Sequence, residues 1–414
     1  MPSALEQKHP KHAIVVVVDR LGAGFLGPYG NTWVETPTLN QLAAESLLVE
    51  TALSDSSELE RIYRSWWCGG HAMQRKPTQA ESLATLVSRC GLSTTLLSDA
   101  AAILEHPLAA DFDERIALSQ PAPGLPASEI EETRLAEVLL TAAERLATSE
   151  SPGLLWIHAR GMGGCWDSPL ILREQFRDEE DPEPYAATAS PAREVGTDRD
   201  PDDILQVEHA YAAEVSVFDT ALAMLLEVLD EHPCSEETLL VVTSPRGYPL
   251  GEHRIIGSIA SPLHAELLQI PLLIRPPQAS FAATRLQMLA QHHDLHATLA
   301  NWLGVSGEPL CDWETDLLAV ANGESAPRAN CAFAVGTGER AVRTPAWFMR
   351  EFDQDQRVLY AKPDDRWEVN EVANRCGDIS EQLAEVITRF DEAVNSSGAK
   401  PLPELSPELI EGIE

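Results

Sequence analysis

The segment Ala13-Ile-Val-Val-Val-Val-Asp-Arg20 decides the fold class of this chain. Its run Ala13–Val18 is continuous, apolar and mostly β-branched, which predicts a strand buried on both faces, as in a parallel sheet. Asp19 follows at the carboxyl end of the strand, the edge at which α/β sheets bind their ligands. The segment therefore predicts an α/β fold with a ligand site beside Asp19.

The glycine-rich stretch after this strand is expected to be a loop. Residues Gly22 to Gly27 satisfy the G-x-G-x-x-G pattern of dinucleotide sites. Such a site needs a helix directly after the glycines, because the pyrophosphate binds free N–H groups at the helix N-terminus. Pro28 and Gly30 follow instead, so we expect no dinucleotide cofactor.

Helical and strand patterns alternate outward from this segment. Helices are expected at Leu39–Leu48, Leu83–Val87, Ile204–Leu229 and Leu295–Leu303. Further buried strands are expected at Thr95–Ser98, Gly153–His158, Thr238–Thr243 and Pro271–Ile274. Strands separated by helices indicate an α/β core with a mostly parallel sheet.

Composition divides the chain into a core, a small C-terminal subdomain and a tail. Short alternating segments between Ala332 and Tyr360 predict a small antiparallel sheet, and a helix is expected at Ile379–Val394. The expected boundaries are 1–321 for the core, 172–203 for an acidic surface excursion within it, 322–394 for the subdomain and 395–414 for a loose acidic tail.

The charge of the chain excludes some classes of partner. Among 414 residues, 65 Asp and Glu outnumber 30 Lys and Arg, so the net charge is −35. Nucleic-acid binding needs basic patches, and anionic membrane surfaces repel such a chain. We therefore expect neither nucleic acid nor membrane as a partner. All apolar runs are shorter than the ~20 residues that span a bilayer, and no signal peptide is recognisable, which predicts a cytoplasmic location.

Cysteine and histidine spacing predicts no metal site. The seven cysteines are scattered without a CxxC pair, which indicates reduced thiols rather than a zinc site or disulfides. His292, His293 and His296 have the spacing of metal ligands on one helix face. No accompanying carboxylate–histidine pattern is present, so we expect them to be solvated surface residues.

Several stretches of the sequence match one protein family in the same order. They are Ile14–Asn31, Thr36–Ala43, Leu154–His158, Tyr211–Asp219, Thr243–His253, Leu267–Arg275, Asp294–Leu299, Arg343–Trp347 and Leu359–Tyr360. Together they resemble the sulfatase family of the alkaline phosphatase superfamily. The resemblance implies a sandwich in which helices cover both faces of a mostly parallel sheet, with a small C-terminal α+β subdomain. It also implies hydrolysis of sulfate esters at a site that holds a divalent cation.

Most metal ligands of that family are missing from this chain. The resemblance implies an Asp-Asp pair and an Asp-His or Asp-Asn pair, where this sequence has Asp19-Arg20 and Pro245-Arg246. Asp19 is thus the one remnant of the metal site. Hard cations bind several oxygen ligands, and one carboxylate holds them weakly. We expect no cofactor, with calcium or magnesium as the alternative if the resemblance extends to function.

The nucleophile of the family is also missing. The resemblance implies a Cys or Ser in a Cys/Ser-x-Pro-x-Arg motif within 52–69, a stretch that contains no proline. Counting back from Cys68-Gly69 places Leu59 at the nucleophile position. We expect Cys68 to be a half-buried structural residue. The weak candidates for a nucleophile are Ser54, Ser56 and Ser57. The stretch Gly161–Trp166 lacks the family's second active-site histidine, and the strand-end segments contain no lysine.

Two arginines stand at the missing metal positions. A guanidinium carries positive charge without a cation, so Arg20 and Arg246 can fill the former metal volume. One would be neutralised by Asp19 and the other left free to bind a sulfate, phosphate or carboxylate. The alternative is that both pair with nearby acids in a pocket without function. His158 and His253 keep the family's positions, either as catalytic candidates or as structural histidines.

Three functions are open at this point. The first is a sulfatase-like protein that has lost metal-dependent sulfate ester hydrolysis, a pseudoenzyme that binds a small anionic ligand such as a sulfate ester. The second is an active sulfate or phosphate ester hydrolase with a rebuilt site. The third is a structural protein partner of an active sulfatase. Without metal, nucleophile or lysines, most of the electrostatic stabilisation of such a reaction is missing, which favours the first.

Overall fold

The valine-rich strand of the N-terminal segment lies at the centre of a large sheet in the computed structural model of the protein. The structure describes residues 11–75, 80–119, 124–196, 200–257, 262–305, 314–327, 330–352, 356–396, 402 and 404–412. Cys311 and parts of the expected tail lie outside the described residues. The six described cysteines are in no disulfide.

Fifteen strands form three sheets within these residues. They are β1 (His12–Val18), β2 (Leu47–Leu53), β3 (Thr94–Ser98), β4 (Glu114–Ala117), β5 (Leu154–Ala159), β6 (Arg193–Glu194), β7 (Thr238–Thr243), β8 (Ile255–Ile256), β9 (Gln269–Ile270), β10 (Leu272–Arg275), β11 (Thr284–Ala290), β12 (Ala332–Gly336), β13 (Glu339–Arg343), β14 (Trp347–Phe352) and β15 (Arg357–Ala361). The large sheet has the order β11-β2-β10-β7-β1-β5-β3-β4, with β9 paired to β2. Pairings with β9 or β10 are antiparallel and the rest are parallel.

Helices cover both faces of this sheet. The helices of the described residues are α1 (Pro37–Ala44), α2 (Leu59–Cys68), α3 (Leu83–Arg89), α4 (Ala101–Leu104), α5 (Arg134–Ala147), α6 (Leu170–Glu174), α7 (Pro201–Glu231), α8 (Ala265–Leu268), α9 (His292–Trp302), α10 (Leu317–Ala321), α11 (Gly377–Asn395) and α12 (Pro407–Glu411). Alternate residues of β1 enter two separate cores: Ile14, Val16 and Val18 pack with α1, α5 and α7, and Ala13, Val15 and Val17 pack with α2, α3 and α9. This two-sided burial explains the unbroken valine run. Within the described part of the chain, none of these helices combines the length and apolar character that crossing a bilayer requires.

A second, antiparallel sheet is formed by β12 to β15, in sequence order. One face of this sheet packs against α11, and Ile387 and Phe390 of this helix are buried there. Residues 404–412 were expected to be part of a loose tail. They contain α12, and Leu409 of that helix is buried in the same cluster. The domain boundaries themselves stay a prediction.

The fold class predicted from the sequence is confirmed: the protein has a large, mostly parallel central sheet and a separate small antiparallel sheet. One predicted helix was wrong at its end. The pattern predicted a helix over Leu39–Leu48, whereas α1 ends at Ala44 and β2 begins at Leu47. Leu47 and Leu48 pair with β10 and β11, and these tertiary contacts outweigh the local helical spacing.

The acidic excursion at 172–203 includes regular structure. Part of α6 and the strand β6 lie in it, and β6 pairs with β8. Arg173 is completely buried, and its guanidinium lies 3.8 Å from a Glu214 carboxylate oxygen of α7. One arginine therefore ties this segment to the core.

Candidate functional site

Three neighbouring strands of the large sheet bring the candidate residues together. β1 lies between β5 and β7, and the three run parallel. Asp19 and Arg20 follow β1, His158 lies near the end of β5, and Arg246 follows β7. Because the carboxyl ends of parallel strands meet at one edge of a sheet, these side chains converge there. We call Asp19, Arg20, His158 and Arg246 the strand-end cluster.

At the centre of the cluster, Arg246 and Asp19 form a bidentate ion pair. Arg246 Nε donates to Asp19 Oδ1 at 3.0 Å, and Arg246 Nη2 donates to Asp19 Oδ2 at 3.0 Å. Arg246 Nη1 donates to the backbone oxygen of Ser57 at 2.5 Å. Ser57 lies in the 52–69 stretch, where the resemblance implies the nucleophile, and we call this stretch the nucleophile segment. Burial alone raises the pKa of Asp19, but the charge and hydrogen bonds of Arg246 outweigh it and hold that pKa below its ordinary value.

A turn after β7 aims Arg246 at this position. Ser244 Oγ donates to the Arg246 backbone oxygen at 2.7 Å, which closes a short hydroxyl-capped turn. Ser244 Oγ also accepts a hydrogen bond from the Leu21 backbone N–H at 3.2 Å. One hydroxyl therefore holds together the two loops that carry the arginines.

Arg20 is a buried arginine with strained backbone. Its backbone φ is +70°, in a left-handed region that residues other than glycine rarely adopt. The Tyr211 hydroxyl donates to the Arg20 backbone oxygen at 2.7 Å and accepts from the Gly22 N–H at 2.8 Å. Arg20 Nη1 donates to the Gly247 oxygen over a long 3.4 Å, and no carboxylate of the described residues lies within 4.0 Å of this guanidinium. Burial and the charge of Arg246 lower the pKa of Arg20 to about 10.

His158 is fully buried and contacts a tyrosine. Its Nδ1 lies in a short contact with the Tyr63 hydroxyl of α2, and its Nε2 has no hydrogen-bond partner in the described structure. Burial lowers the pKa of His158 to about 4, so the ring is neutral at neutral pH. Burial also raises the pKa of Tyr63 well above its usual value. The Tyr63 phenol therefore carries its proton, and the phenolate needed for nucleophilic attack is disfavoured.

Two of the three serine candidates in the 52–69 stretch have hydroxyls that donate to backbone oxygens. Leu59, at the position that the resemblance implies for the nucleophile, begins α2. Ser54 Oγ donates to the Ser56 oxygen at 2.7 Å and Ser56 Oγ to the Val335 oxygen at 2.9 Å. Cys68 was expected to be half-buried, but only 3% of it is exposed, because it is at the inner end of α2.

His253 belongs to a different network. Its Nδ1 lies 2.7 Å from Glu266 Oε1, and its ring stacks on His264 with centroids 3.4 Å apart. Burial lowers the pKa of His253, but the hydrogen bond to Glu266 outweighs it and raises that pKa. The ligand atoms of His253, His264 and Glu266 lie within 4.8 Å of one another, as in a metal site. However, the Arg350 guanidinium contacts His264 Nε2, and this fixed positive charge opposes a bound cation.

The three histidines of α9 were predicted to be solvated, and this was wrong. His292, His293 and His296 are at most 9% exposed, because α9 packs against α2. His292 Nδ1 lies 2.6 Å from Asp55 Oδ1, and His296 Nδ1 donates to the Trp66 oxygen at 3.0 Å. The helical spacing described one face correctly, but that face is turned towards the core.

The family relationship rests on the larger part of the chain. A sequence model of the family described as Sulfatase matches residues 11–305, which include the strand-end cluster and the large sheet. The chain belongs to the sulfatase family.

A curated relative supports the wider superfamily. It is the multifunctional alkaline phosphatase superfamily protein PehA of Trinickia caryophylli, which is 28% identical over 130 residues. This match covers 31% of the present chain and 25% of the relative, so the chain matches about a quarter of that protein's length.

Solved structures share the fold across almost the whole chain. The phosphonate monoester hydrolase of Agrobacterium radiobacter aligns with a TM-score of 0.74 at 15% identity, over 92% of this chain and 95% of the other. BT4656, in complex with its substrate D-glucosamine-2-N,6-O-disulfate, has a TM-score of 0.71 at 15% identity, over 93% and 97%. BT1596, a 2-O GAG sulfatase, has a TM-score of 0.69 at 14% identity, over 93% and 92%. At these identities the likeness shows the fold.

The strand-end cluster does not fit the divalent cation that the sulfatase family implies. Both oxygens of its one carboxylate, Asp19, accept hydrogen bonds from Arg246. The other implied positions carry Arg20, Pro245 and Arg246, which supply no oxygen ligand and add positive charge. The strand-end cluster is therefore chemically unsuited to a catalytic metal ion.

Two residues of the site were missed by sequence reasoning. Tyr63 contacts His158, and Tyr211 holds the backbone of Arg20. Tyr211 belongs to a stretch that resembles the family's central helix, so its place on a helix could be predicted from the sequence. The contact of its hydroxyl with the Arg20 backbone oxygen could not. Tyr63 gave no local signal, because the contact joins α2 to β5 across 95 residues.

Proposed function

We propose that this sulfatase-family protein has lost metal-dependent ester hydrolysis and binds an anionic ligand. The observation that carries the proposal is the bidentate ion pair between Arg246 and Asp19. It places a guanidinium where the family relationship implies a cation. Arg246 supplies one positive charge, which Asp19 neutralises, so this pair stabilises little of the charge that develops during ester hydrolysis.

The nucleophile segment supports the same proposal. A metal-free hydrolase still needs an activated nucleophile near the strand ends. The Leu59 side chain has no nucleophilic atom, and the hydroxyls of Ser54 and Ser56 donate to backbone oxygens. Tyr63 keeps its proton, as its raised pKa requires.

Anion binding at the strand ends would fall to Arg20. All three donor nitrogens of Arg246 are already bonded to Asp19 and Ser57. Arg20 keeps most of its donors unused, in a strained and buried position. A buried guanidinium with unused donors is suited to a sulfate, phosphate or carboxylate, which it contacts through two parallel hydrogen bonds.

Hydrolysis is tested with aryl sulfate, aryl phosphate and phosphonate monoester substrates, with calcium, magnesium or manganese in separate runs. We expect no turnover above that of the Asp19→Ala variant under any condition. Metal-dependent turnover that disappears in Asp19→Ala would instead mean that the site has been rebuilt as an active hydrolase.

A reverse experiment uses the ligands that are missing. The triple variant Arg20→Asp, Pro245→Asp and Arg246→Asn restores the acidic and amide side chains that the resemblance implies. We expect calcium to raise the melting temperature of this variant and to leave the wild-type value unchanged. An equal calcium response of both proteins would contradict the proposal that Arg246 has replaced the cation.

Binding by Arg20 is tested with sulfate and phenyl sulfate in calorimetric titrations. Arg20→Gln is expected to weaken the binding about tenfold, the usual effect of one lost charged hydrogen bond. The matched control is Arg134→Gln, since Arg134 is a half-exposed arginine on α5. Equal affinity in both variants would remove Arg20 from the proposal.

A further inference from the structure

A cavity of about 510 Å³ lies where the small antiparallel sheet meets the large one. One wall comes from the large sheet, with Glu50 of β2 and Arg285 of β11. The opposite wall comes from the C-terminal part of the chain, with Arg343, Lys362 and Arg366. None of its lining residues belongs to the strand-end cluster. We call it the junction cavity.

The charge of the junction cavity is opposite to that of the protein. Four cationic side chains line it, against two carboxylates, Glu50 and Glu368. In the whole chain, acidic residues outnumber basic ones 65 to 30. A cavity with a surplus of positive charge in such a protein concentrates small anions, because field lines from its cations are focused by the surrounding walls.

Two of these cations lack an acidic partner. Neither Arg343 nor Arg366 forms an ion pair with a carboxylate of the described residues, and the charge of Glu368 acts on Arg343 only from a distance. Arg343 Nη1 is bonded to the backbone oxygens of Thr344 and Trp347, which leaves its other nitrogens without a hydrogen bond in the described structure. Arg366 stacks over Trp367, with its guanidinium carbon 5.1 Å from the ring centroid. Both groups keep donors for a ligand.

The other two cations are held in place. Lys362 Nζ lies 3.0 Å from Glu368 Oε1 and donates to the Asp365 backbone oxygen at 2.8 Å. Arg285 Nη2 donates to the Pro28 backbone oxygen at 3.0 Å. Preorganised cations on both walls reduce the entropy lost when an anion binds between them.

We propose that the junction cavity binds a small organic dianion of the phosphate monoester class. Arginine guanidinium groups match the oxygens of a phosphate, and the surplus of two positive charges matches its charge. Leu53, Leu268 and Phe348 form an apolar part of the wall, which suits an organic group on the phosphate. The volume exceeds that of an inorganic anion and lies in the range of small-molecule sites. This site is independent of the function proposed for the strand ends.

Phenyl phosphate is the probe, in calorimetric titrations of the full chain. Wild-type protein is expected to bind it, more tightly than the singly charged phenyl sulfate, with an affinity that falls as salt is added. Arg366→Gln and Arg285→Gln, on opposite walls, are each expected to weaken binding about tenfold. Arg389→Gln is the control, because Arg389 is an exposed arginine of α11 paired with Glu385. Melting temperatures of all variants check that each is folded.

Three results would overturn the inference. The first is the absence of phenyl phosphate binding to the wild type. The second is equal affinity in the wild type, Arg366→Gln and Arg285→Gln. The third is loss of binding in Arg20→Gln with retention in Arg366→Gln, which would move the ligand to the strand ends and leave the junction cavity without one.

Discussion

Arg246 and Asp19 face each other through two parallel hydrogen bonds of 3.0 Å at the carboxyl edge of the central sheet. The two residues are 227 positions apart in the sequence. Their side chains are 15% and 8% exposed, so water contributes little to the solvation of either charge. Each therefore depends on the other, and the loss of one leaves an uncompensated charge.

Removing the arginine tests this dependence. Arg246→Ala is expected to lower the free energy of unfolding by about 3 kcal/mol or more, the usual result of breaking a buried ion pair. Adding Asp19→Asn should restore part of this loss, because the unpaired charge is then gone. Urea unfolding followed by tryptophan fluorescence measures both. Arg134→Ala, at a half-exposed pair with Glu137, is the control and should change stability far less. A loss in Arg246→Ala no larger than in this control would contradict the ion-pair interpretation.

Arg20 is expected to destabilise the folded protein. Its φ of +70° and its buried, weakly bonded guanidinium both destabilise the folded state. Arg20→Gly relieves both and should raise the free energy of unfolding by about 1 kcal/mol. Thermal and urea unfolding measure the change. A clear loss of stability would instead show that Arg20 has a structural role, and would argue against anion binding as the reason for its presence.

The contact between Tyr63 and His158 is expected to be structural. Tyr63→Phe keeps the packing of the ring and leaves His158 Nδ1 without a partner, which should lower the free energy of unfolding by about 1–3 kcal/mol. Tyr185→Phe removes the hydroxyl of a partly exposed tyrosine, which donates to the Ala189 oxygen at 3.1 Å, and is the control. A change in Tyr63→Phe as small as in the control would mean that water replaces the tyrosine at His158.

Buried histidines are expected to weaken the protein in mild acid. Burial lowers the pKa of His71 to about 4, and the ring bridges the Met73 N–H and the Phe333 oxygen. In the unfolded chain the pKa returns to about 6.5. The unfolded state then binds the proton first, so this contribution to stability is complete above pH 6.5 and is lost as the pH falls towards 4.

His71→Gln measures that contribution by difference. Burial raises the pKa values of Glu214, Glu252 and Asp294 to about 7. Their contribution to stability therefore grows as the pH falls through the same range. Because these residues are present in both proteins, their contribution cancels in the comparison. Between pH 6.5 and 4 the wild type should lose up to about 3 kcal/mol more than His71→Gln. Urea midpoints across this range provide the comparison. Parallel curves for the two proteins would show that His71 does not titrate as proposed.

The strands of the large core were readable because burial on both faces leaves a direct mark on the sequence. The valine run of β1 and the apolar run of β7 could be placed from their residues alone. The same reasoning extended α1 too far, into Leu47 and Leu48. An apolar residue at helical spacing is also compatible with a strand, and only the pairing of β2 with β10 and β11 separates the two.

The histidines of α9 show a second kind of limit. Their spacing correctly places three rings on one face of a helix, but spacing alone does not say what covers that face. Asp55 and Trp66 do so, from segments more than 200 residues away. The polar pattern therefore predicted a solvated surface, whereas the rings of His292 and His296 contact Asp55 and Trp66 inside the protein.

The residues alone were enough to predict the α/β fold class and the family. They also showed that Arg20, Pro245 and Arg246 stand at three positions where the resemblance implies metal ligands. These depend on residue identity and order, which are local properties of the chain. Three-dimensional packing was needed to show which arginine neutralises Asp19, that Arg20 keeps unused donors, and that four cations meet in the junction cavity. Pairing of charges depends on distances between side chains, and in this protein the packing of distant strands and loops sets those distances.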